Sequence, residues 1–550
     1  MEMEILETDV LCIGGGIAGL MAATRASELG ADVIVAEKGN TSRSGEGRAG
    51  NDHFWCYIPE VHGTDPDAFI RECMLTQLSG LLTGLGPSIV RTWMENSFDI
   101  VKLWDSWGIP MKYNGNWEFA GHSFPGRLLT HLKYSGQNQK PILTKEALKR
   151  GARIVNRVMV FELLGDADGV TGAMGIDTRK DRLIEFKAKA VILGTGAMTR
   201  LFPNLTPGII GNDSRPFTLS GDGRAAAYRL GAELFDVDSI NRHIGVRNYC
   251  RSGQATWVGV YRYPDGKPIG KYVNKPDRKY GDILPEVDKT IFSKVIETGQ
   301  GPVYMDCTGI TEDDYEYMMY WMKHEANNGL LDHLKEEDID LRRNPVEFQS
   351  YPIRGGGRIL ANEKAETTVK GLYSCGEESY GTMSSAAVFG WLAGENAAKY
   401  AKEPFSVDEE KGRETIEAKT DFVNTLQSRS KGTNWKDANM ALQFTMSHYC
   451  GLVRSESMLS AGLNHLRRLK NNACGTMTAA NQWELTRCLE VLNLYDIGEL
   501  MFLGALERKE SRGLHRRADY QLTDPLYNHK LLVVNKQNGN PNLKWKDMES

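Results

Sequence analysis

Apolar positions open the chain in a strand–helix–strand rhythm. DVLCIGGGIAG (9–19) is an apolar run ending in glycines, LMAATRASE (20–28) keeps helical spacing, and VIVAE (33–37) is a second apolar run. GNTSRSGEGRAGNDHF (39–54) has no periodicity and predicts a loop at the carboxyl end of that second strand. Helical spacing fills 65–109. Three short runs between 152 and 195 (ARIVNRVMVFELL, VTGAMGID, LIEFKAKAVILGTG) predict a meander and a return strand ending at Gly194-Thr195-Gly196. GDGRAAAYRLGAEL (221–234) predicts a helix with an apolar face, whereas 241–345 is rich in proline, aromatic and charged residues. TTVKGLYSCGEES (367–379) predicts a strand, and SSAAVFGWLAGENAAKYA (384–401) a helix that starts with small residues, as expected where a helix N-terminus meets a ligand. Helical spacing with alternating charge runs on from 405, and 521–550 is polar and weakly patterned.

The first run carries chemistry. Gly14, Gly16 and Gly19 stand in a G-x-G-x-x-G after a strand pattern and before a helix pattern, with Glu37 closing the next strand. Gly14 permits a tight turn, Gly16 lets the backbone approach a diphosphate at the helix N-terminus, and Gly19 permits close helix–strand packing. Glu37 is placed to bind a ribose hydroxyl. The spacing predicts an adenine dinucleotide site.

The pattern predicts an α/β protein: a Rossmann-like, discontinuous nucleotide-binding domain (1–240 and 346–404), an inserted α+β capping domain (241–345), a helical domain (405–520) and a C-terminal tail (521–550). A net charge of −5 gives no reason to expect nucleic-acid binding. No apolar run approaches the ~20 residues that cross a bilayer, so any membrane link is expected through a partner. The acidic start MEMEILETD is unlike a signal peptide, and nine dispersed cysteines fit reduced thiols in the cytoplasm. No C-x-x-C occurs, so neither a metal site nor an iron–sulfur ligand set is expected in this chain. Cys12 and Cys375, inside apolar runs, read as core residues.

Three separated segments extend the reading. The glycine motif with Glu37, the Gly194-Thr195-Gly196 strand, and GLYSCGE (371–377) with its following helix resemble the flavoprotein subunits of the fumarate reductase and succinate dehydrogenase superfamily. CGLVRSESMLSAGLNHLRRL (450–469) and ALERKESRGLHRRADY (505–520) resemble that superfamily's C-terminal segments. The resemblance implies FAD in the grip. It places Ile17, Ala18, Lys38, Asn51 and Asp222 around it, Glu377 on the ribityl or diphosphate side, and Ser384 and Ser385 near the ring. The loop reads Ser42-Arg43-Ser44-Gly45 where many succinate dehydrogenases have a flavin-attaching histidine; glycine has no nucleophile, which predicts a non-covalent flavin. Arg-Ser-Gly, INRHIGVRNYCRSG (240–253) and GQGPVYMDCTG (299–309) are similar to the adenylylsulfate reductase alpha-subunit branch. That match puts Arg247 on a substrate-facing arginine.

Two departures point to a changed substrate. ILPEVDKT (283–290) has Glu286 and Lys289 but no arginine where fumarate reductases deliver a proton, and FQSYPIRGGGRI (348–359) has Tyr351 and Arg354 but no histidine. Arg247 and Arg354 are the expected clamps for a small anion, because arginine grips oxyanions in a planar fork. His243 and Tyr351 are the expected proton donors. Arg508, Arg512 and His515 are expected to tie the helical domain to the flavin domain, and Trp104, Trp107, Trp117 and Phe119 to be core. The leading reading is a flavoprotein subunit in a hetero-oligomer with a small ferredoxin-like iron–sulfur protein, which would hold the clusters. A stand-alone enoate reductase using a free carrier, and a catalytically silent flavoprotein scaffold, are the alternatives.

Overall fold

The computed structural model describes residues 1–548 except 77–83, 122, 124–125, 204–209, 211–214, 248–256, 271, 281–294, 296–297, 326 and 404–409. Its organising element is a seven-stranded sheet. The first strand, Glu2–Ile13, pairs in parallel with Val33–Glu37 on one side and with Arg182–Leu193 on the other. The meander Val158–Asp166, Gly169–Asp177 and Arg182–Leu193 is antiparallel, and Leu372–Ser374 adds to Arg182–Leu193 in parallel. The strand ends Ile13, Glu37, Leu193 and Ser374 thereby converge on one edge.

Two helices cross over this edge at close range. A Cβ on Gly390 would lie 2.4 Å from the Ala18 carbonyl oxygen, and one on Gly394 2.2 Å from that of Ala22. Gly390 and Gly394 thus let Met383–Tyr400 lie on Ile17–Glu28, while Thr382, Met383 and Ala386 at its N-terminal end line the cleft at the converging strand ends, as its small first residues predict.

The cap is built on a four-stranded antiparallel sheet in the order Ile240–Val246, Val346–Gly355, Val303–Asp306, Val260–Arg262. Glu312–His324 and Asn328–Glu336 cover it, with Met318, Met322, Leu330 and Phe348 in its core. The expected boundary at 345/346 therefore moves: Val346–Gly355 belongs to the cap sheet, where its alternate residues bury against those helices.

In the helical domain, Gln482–Glu507 is buried nearly all round and forms its axis. The C-terminal tail is no loose segment. Lys530–Gln537 and Asn540–Asp547 form a hairpin that pairs with Leu234–Phe235 and buries Leu532, Val533 and Val534. Its apolar run LLVV is too short to stand out in a polar stretch, and the hairpin becomes stable only against its partner strand. Among the described residues no helix is long and apolar enough to cross a membrane.

Candidate functional site

A cleft of about 340 Å³ opens where the strand ends converge. Gly14, Gly16, Ile17, Ala18, Glu37, Lys38, Ser44, Gly45, Gly194, Thr195, Gly196, Asp222, Gly376 and Glu377 all line it. Gly14 turns at φ +97°, and a Cβ there would lie 2.4 Å from the Gly194 carbonyl oxygen. Gly19 lies behind the loop: its Cβ would meet the Gly14 carbonyl oxygen at 1.9 Å, so its role is packing. The Glu37 carboxylate accepts from the amides of Gly15 at 2.7 Å and Gly39 at 2.6 Å, holding the loops on either side of the cleft. Lys140, buried behind the glycines, donates to the Gly15 carbonyl; burial pulls its ammonium down to about 8 against the opposing pull of Glu37.

Other expected positions fall elsewhere. The Ser384 hydroxyl accepts from the Trp93 indole at 3.1 Å, and Ser385 closes a capping box with Thr382. Neither lines the cleft. Asn51 uses its backbone carbonyl to accept from Gly136 at 2.9 Å, and the adjoining Gly50 packs against the cap at His324, so this segment braces the cap. Arg247 is 55 % exposed at its side chain and pairs with Glu347 at 2.8 Å on the sheet rim, away from the cleft. Its expected substrate contact is replaced by this cross-strand ion pair, to which the register Val246↔Phe348 delivers it. Tyr351 is buried, and His243 lies directly opposite it in the register, with Arg354 opposite Asn241. The His243 and Arg354 side chains, and all of Glu286 and Lys289, lie outside the described residues.

The structure adds groups that the sequence did not single out. Trp483 and Arg487, one turn apart on the axial helix, line the cleft from the helical domain. Arg487 belongs to a buried charge network. Glu490, fully buried, meets Lys38 at 2.8 Å, Arg200 at 2.9 Å and Arg487 at 3.0 Å, and Lys38 also meets Asp222 at 2.6 Å. Burial alone would raise the Asp222 carboxyl; the Lys38 ammonium outweighs it and holds it below the usual range. Three cations against two carboxylates leave positive charge at the cleft wall, where an anionic dinucleotide gains from it. Arg224, fully buried, bridges the carbonyls of Gly196, Glu377 and Gly355, joining the cleft to the end of the cap strand. The neighbouring Glu378 accepts from Thr195, and burial pushes its carboxyl up to about 7. Arg508 and His515 both meet Asp238, at 2.9 and 3.0 Å, which ties the helical domain to the end of the first flavin-domain segment as expected, whereas Arg512 pairs with Glu510 of its own segment at 2.8 Å. Trp104, Cys12 and Cys375 are buried core, while Trp107, Trp117 and Phe119 are half-buried around it.

The cleft fits a flavin dinucleotide. A glycine floor meets the first turn of Ile17–Glu28, and two polar atoms, Ser44 Oγ and Arg487 Nε, are buried at its wall without a hydrogen-bond partner among the described residues. Such atoms are costly unless a ligand satisfies them.

Comparison with known proteins agrees. A family described as FAD binding domain matches residues 9–388, and one described as Fumarate reductase flavoprotein C-term matches 439–550. A fumarate reductase (CoM/CoB) chain from Methanothermobacter marburgensis is 26 % identical, over 98 % of this chain and 98 % of its own length. An 8-methylmenaquinol:fumarate reductase flavoprotein subunit from Wolinella succinogenes is 24 % identical over 98 % of this chain and 90 % of its own. Among solved structures, a quinol fumarate reductase chain from E. coli superposes with a TM-score of 0.85 at 19 % identity, covering 100 % of this chain and 98 % of that one. An adenylylsulfate reductase from Archaeoglobus fulgidus also gives 0.85, at 21 % identity, covering 100 % and 96 %. Glycine cleft, inserted cap and C-terminal helices thus lead to one conclusion: the chain belongs to the fumarate reductase and succinate dehydrogenase flavoprotein superfamily and is an FAD-dependent oxidoreductase.

Proposed function

We propose that this chain is the flavoprotein subunit of a two-electron oxidoreductase that acts on a small anion at non-covalent FAD and exchanges electrons with a separate iron–sulfur protein. When bound, FAD supplies the two-electron carrier. The residues of this chain hold it and exclude water: the Gly14–Gly19 loop and Lys140 fix the glycine floor, Glu37 spans the loops, and Trp483 closes one wall. Gly45, in the cleft lining, offers no nucleophile for attachment.

The observation that carries the partner is the cysteine distribution. Cys12, Cys56, Cys73, Cys307, Cys375, Cys450 and Cys488 are buried, and among the described residues no three cysteines come together to hold a cluster. Protonation and anion contact fall to the paired cap strands, where Tyr351 lies opposite His243 in the register and Arg354 lies three residues on. Equal superposition on fumarate and adenylylsulfate reductases leaves both chemistries in the panel. The sequence relatives are named as subunits of fumarate reductases, which favours an enoate among the candidate anions; a stand-alone enoate reductase using a free carrier is the second reading.

The test is anaerobic oxidation of reduced viologen by the FAD-loaded chain, alone and with candidate iron–sulfur proteins, using fumarate, adenylylsulfate and related anions. Anion-dependent oxidation that rises on adding one such protein supports the first reading. Full activity without any partner supports the second. An FAD-loaded chain that no anion reoxidises overturns both.

A further inference from the structure

Trp483 stands in the first turn of the axial helix Gln482–Glu507 and lines the dinucleotide cleft from the helical domain. It is 40 % exposed, a large apolar surface left uncovered at a ligand site. Its ring meets that of the buried Trp435 near a right angle, with the centroids 5.5 Å apart, which fixes the indole in place. Arg487 follows one turn on, and its guanidinium carbon lies 5.2 Å from the centre of the Phe217 ring and 5.7 Å from that of Trp483. Its charge is met by Glu490 at 3.0 Å, whereas its Nε is buried without a hydrogen-bond partner among the described residues.

Two anchors fix which end of the cleft this wall faces. Gln482 donates to the Asp181 carboxylate at 2.9 Å, in the turn just past the meander strand Gly169–Asp177, and Thr178 at the end of that strand lines the cleft. Glu490 meets both Arg487 and Lys38, the residue after Glu37. Trp483 and Arg487 therefore stand between the meander and the end of the second strand. In a dinucleotide grip the acidic residue closing that strand takes the ribose of the adenosine, so the base beyond it falls against this wall. An aromatic face suits the flat base, and a buried, unpaired N–H donor calls for an acceptor on the same ligand.

We propose that the helical domain supplies the adenine clamp of the cofactor cleft: Trp483 stacks on the base, and Arg487 donates through Nε to the adenosine. The proposal rests on the reading of FAD as the occupant. The base then bridges the meander and the axial helix, so cofactor and helical domain hold each other in place. The clamp acts on cofactor affinity and on the seating of the helical domain, not on the redox step.

Calorimetric titration of the full chain, freed of flavin by dialysis, tests it with three probes. These are FAD, ADP, which carries only the adenosine and diphosphate, and FMN, which lacks the adenosine. Wild type is expected to bind ADP. Trp483→Ala is expected to weaken FAD and ADP by the same factor, about fivefold or more, the size of one lost base–aromatic stack, and to leave FMN unaffected. Trp483→Phe keeps a ring and is expected to recover most of that loss, which guards against misfolding of the alanine variant. Arg487→Lys keeps a charge facing Glu490 but removes the Nε donor, and is expected to weaken both adenosine probes. No ADP binding by wild type, FAD and ADP affinities indifferent to Trp483→Ala, or an equal loss for FMN overturns the proposal. Because the ADP arm is read without flavin, purification of the chain with a different dinucleotide sinks the FAD reading separately.

Discussion

At the scale of single residues, backbone freedom and buried charge set the site. Gly14 combines φ +97° with no room for a Cβ, so Gly14→Ala carries about 1–3 kcal/mol of backbone strain besides the clash with Gly194. Purified Gly14→Ala protein is expected to show less than half the wild-type ratio of flavin to protein absorbance; an unchanged ratio contradicts this role. Glu378 gives a pH signature. Its carboxyl is raised to about 7 in the folded chain, so the folded state holds the proton more tightly than the unfolded state, and stability falls as pH rises from the usual carboxyl range through 7. Glu378→Gln cannot ionise and escapes that loss. Its melting temperature relative to wild type should therefore rise between pH 5 and pH 8, and an equal offset at both pH values would count against the buried-acid account. The glycine positions were legible because each answers a local geometric demand that sequence spacing displays. Arg247 was misplaced because register, which spacing does not display, carries it to Glu347.

At the scale of elements, strand and helix existence followed the hydrophobic period, and errors fell where an element needs a distant partner. The helix Met383–Tyr400 and its ligand-facing first turn were legible, but the reason for its later glycines was not, since Gly390 and Gly394 answer to Ala18 and Ala22 more than 370 positions earlier. The cap strand Val346–Gly355 likewise belongs with Ile240–Val246, about a hundred residues before it. The C-terminal hairpin shows the same dependence and can be tested by deletion. Removing residues 529–550 strips the cover from Leu234 and Phe235, both fully buried, at roughly 25 cal/mol per Å² of apolar surface re-exposed. The truncated chain is expected to melt several degrees lower and to bind a hydrophobic dye at room temperature; wild-type melting would refute a structural role for the hairpin.

At the scale of the whole molecule, the cleft is a joint product of domains. The flavin domain supplies its floor, and the helical domain supplies Trp483 and Arg487, held by the network around Glu490. Nothing local in the sequence relates residue 490 to residue 38, which is why this wall was missed. Removing one member of such a buried network leaves uncompensated charge and costs about 3–5 kcal/mol. Glu490→Gln is expected to loosen the helical domain, lower the first thermal transition and weaken FAD retention on dialysis; loss of neither would show the network to be dispensable. The account stands most directly on what the cleft holds and how. Protein purified from cells grown without added flavin should carry close to one FAD per chain, and acid precipitation should leave all of it in the supernatant. Yellow colour retained in the washed pellet, or a different dinucleotide released from the cleft, would contradict it.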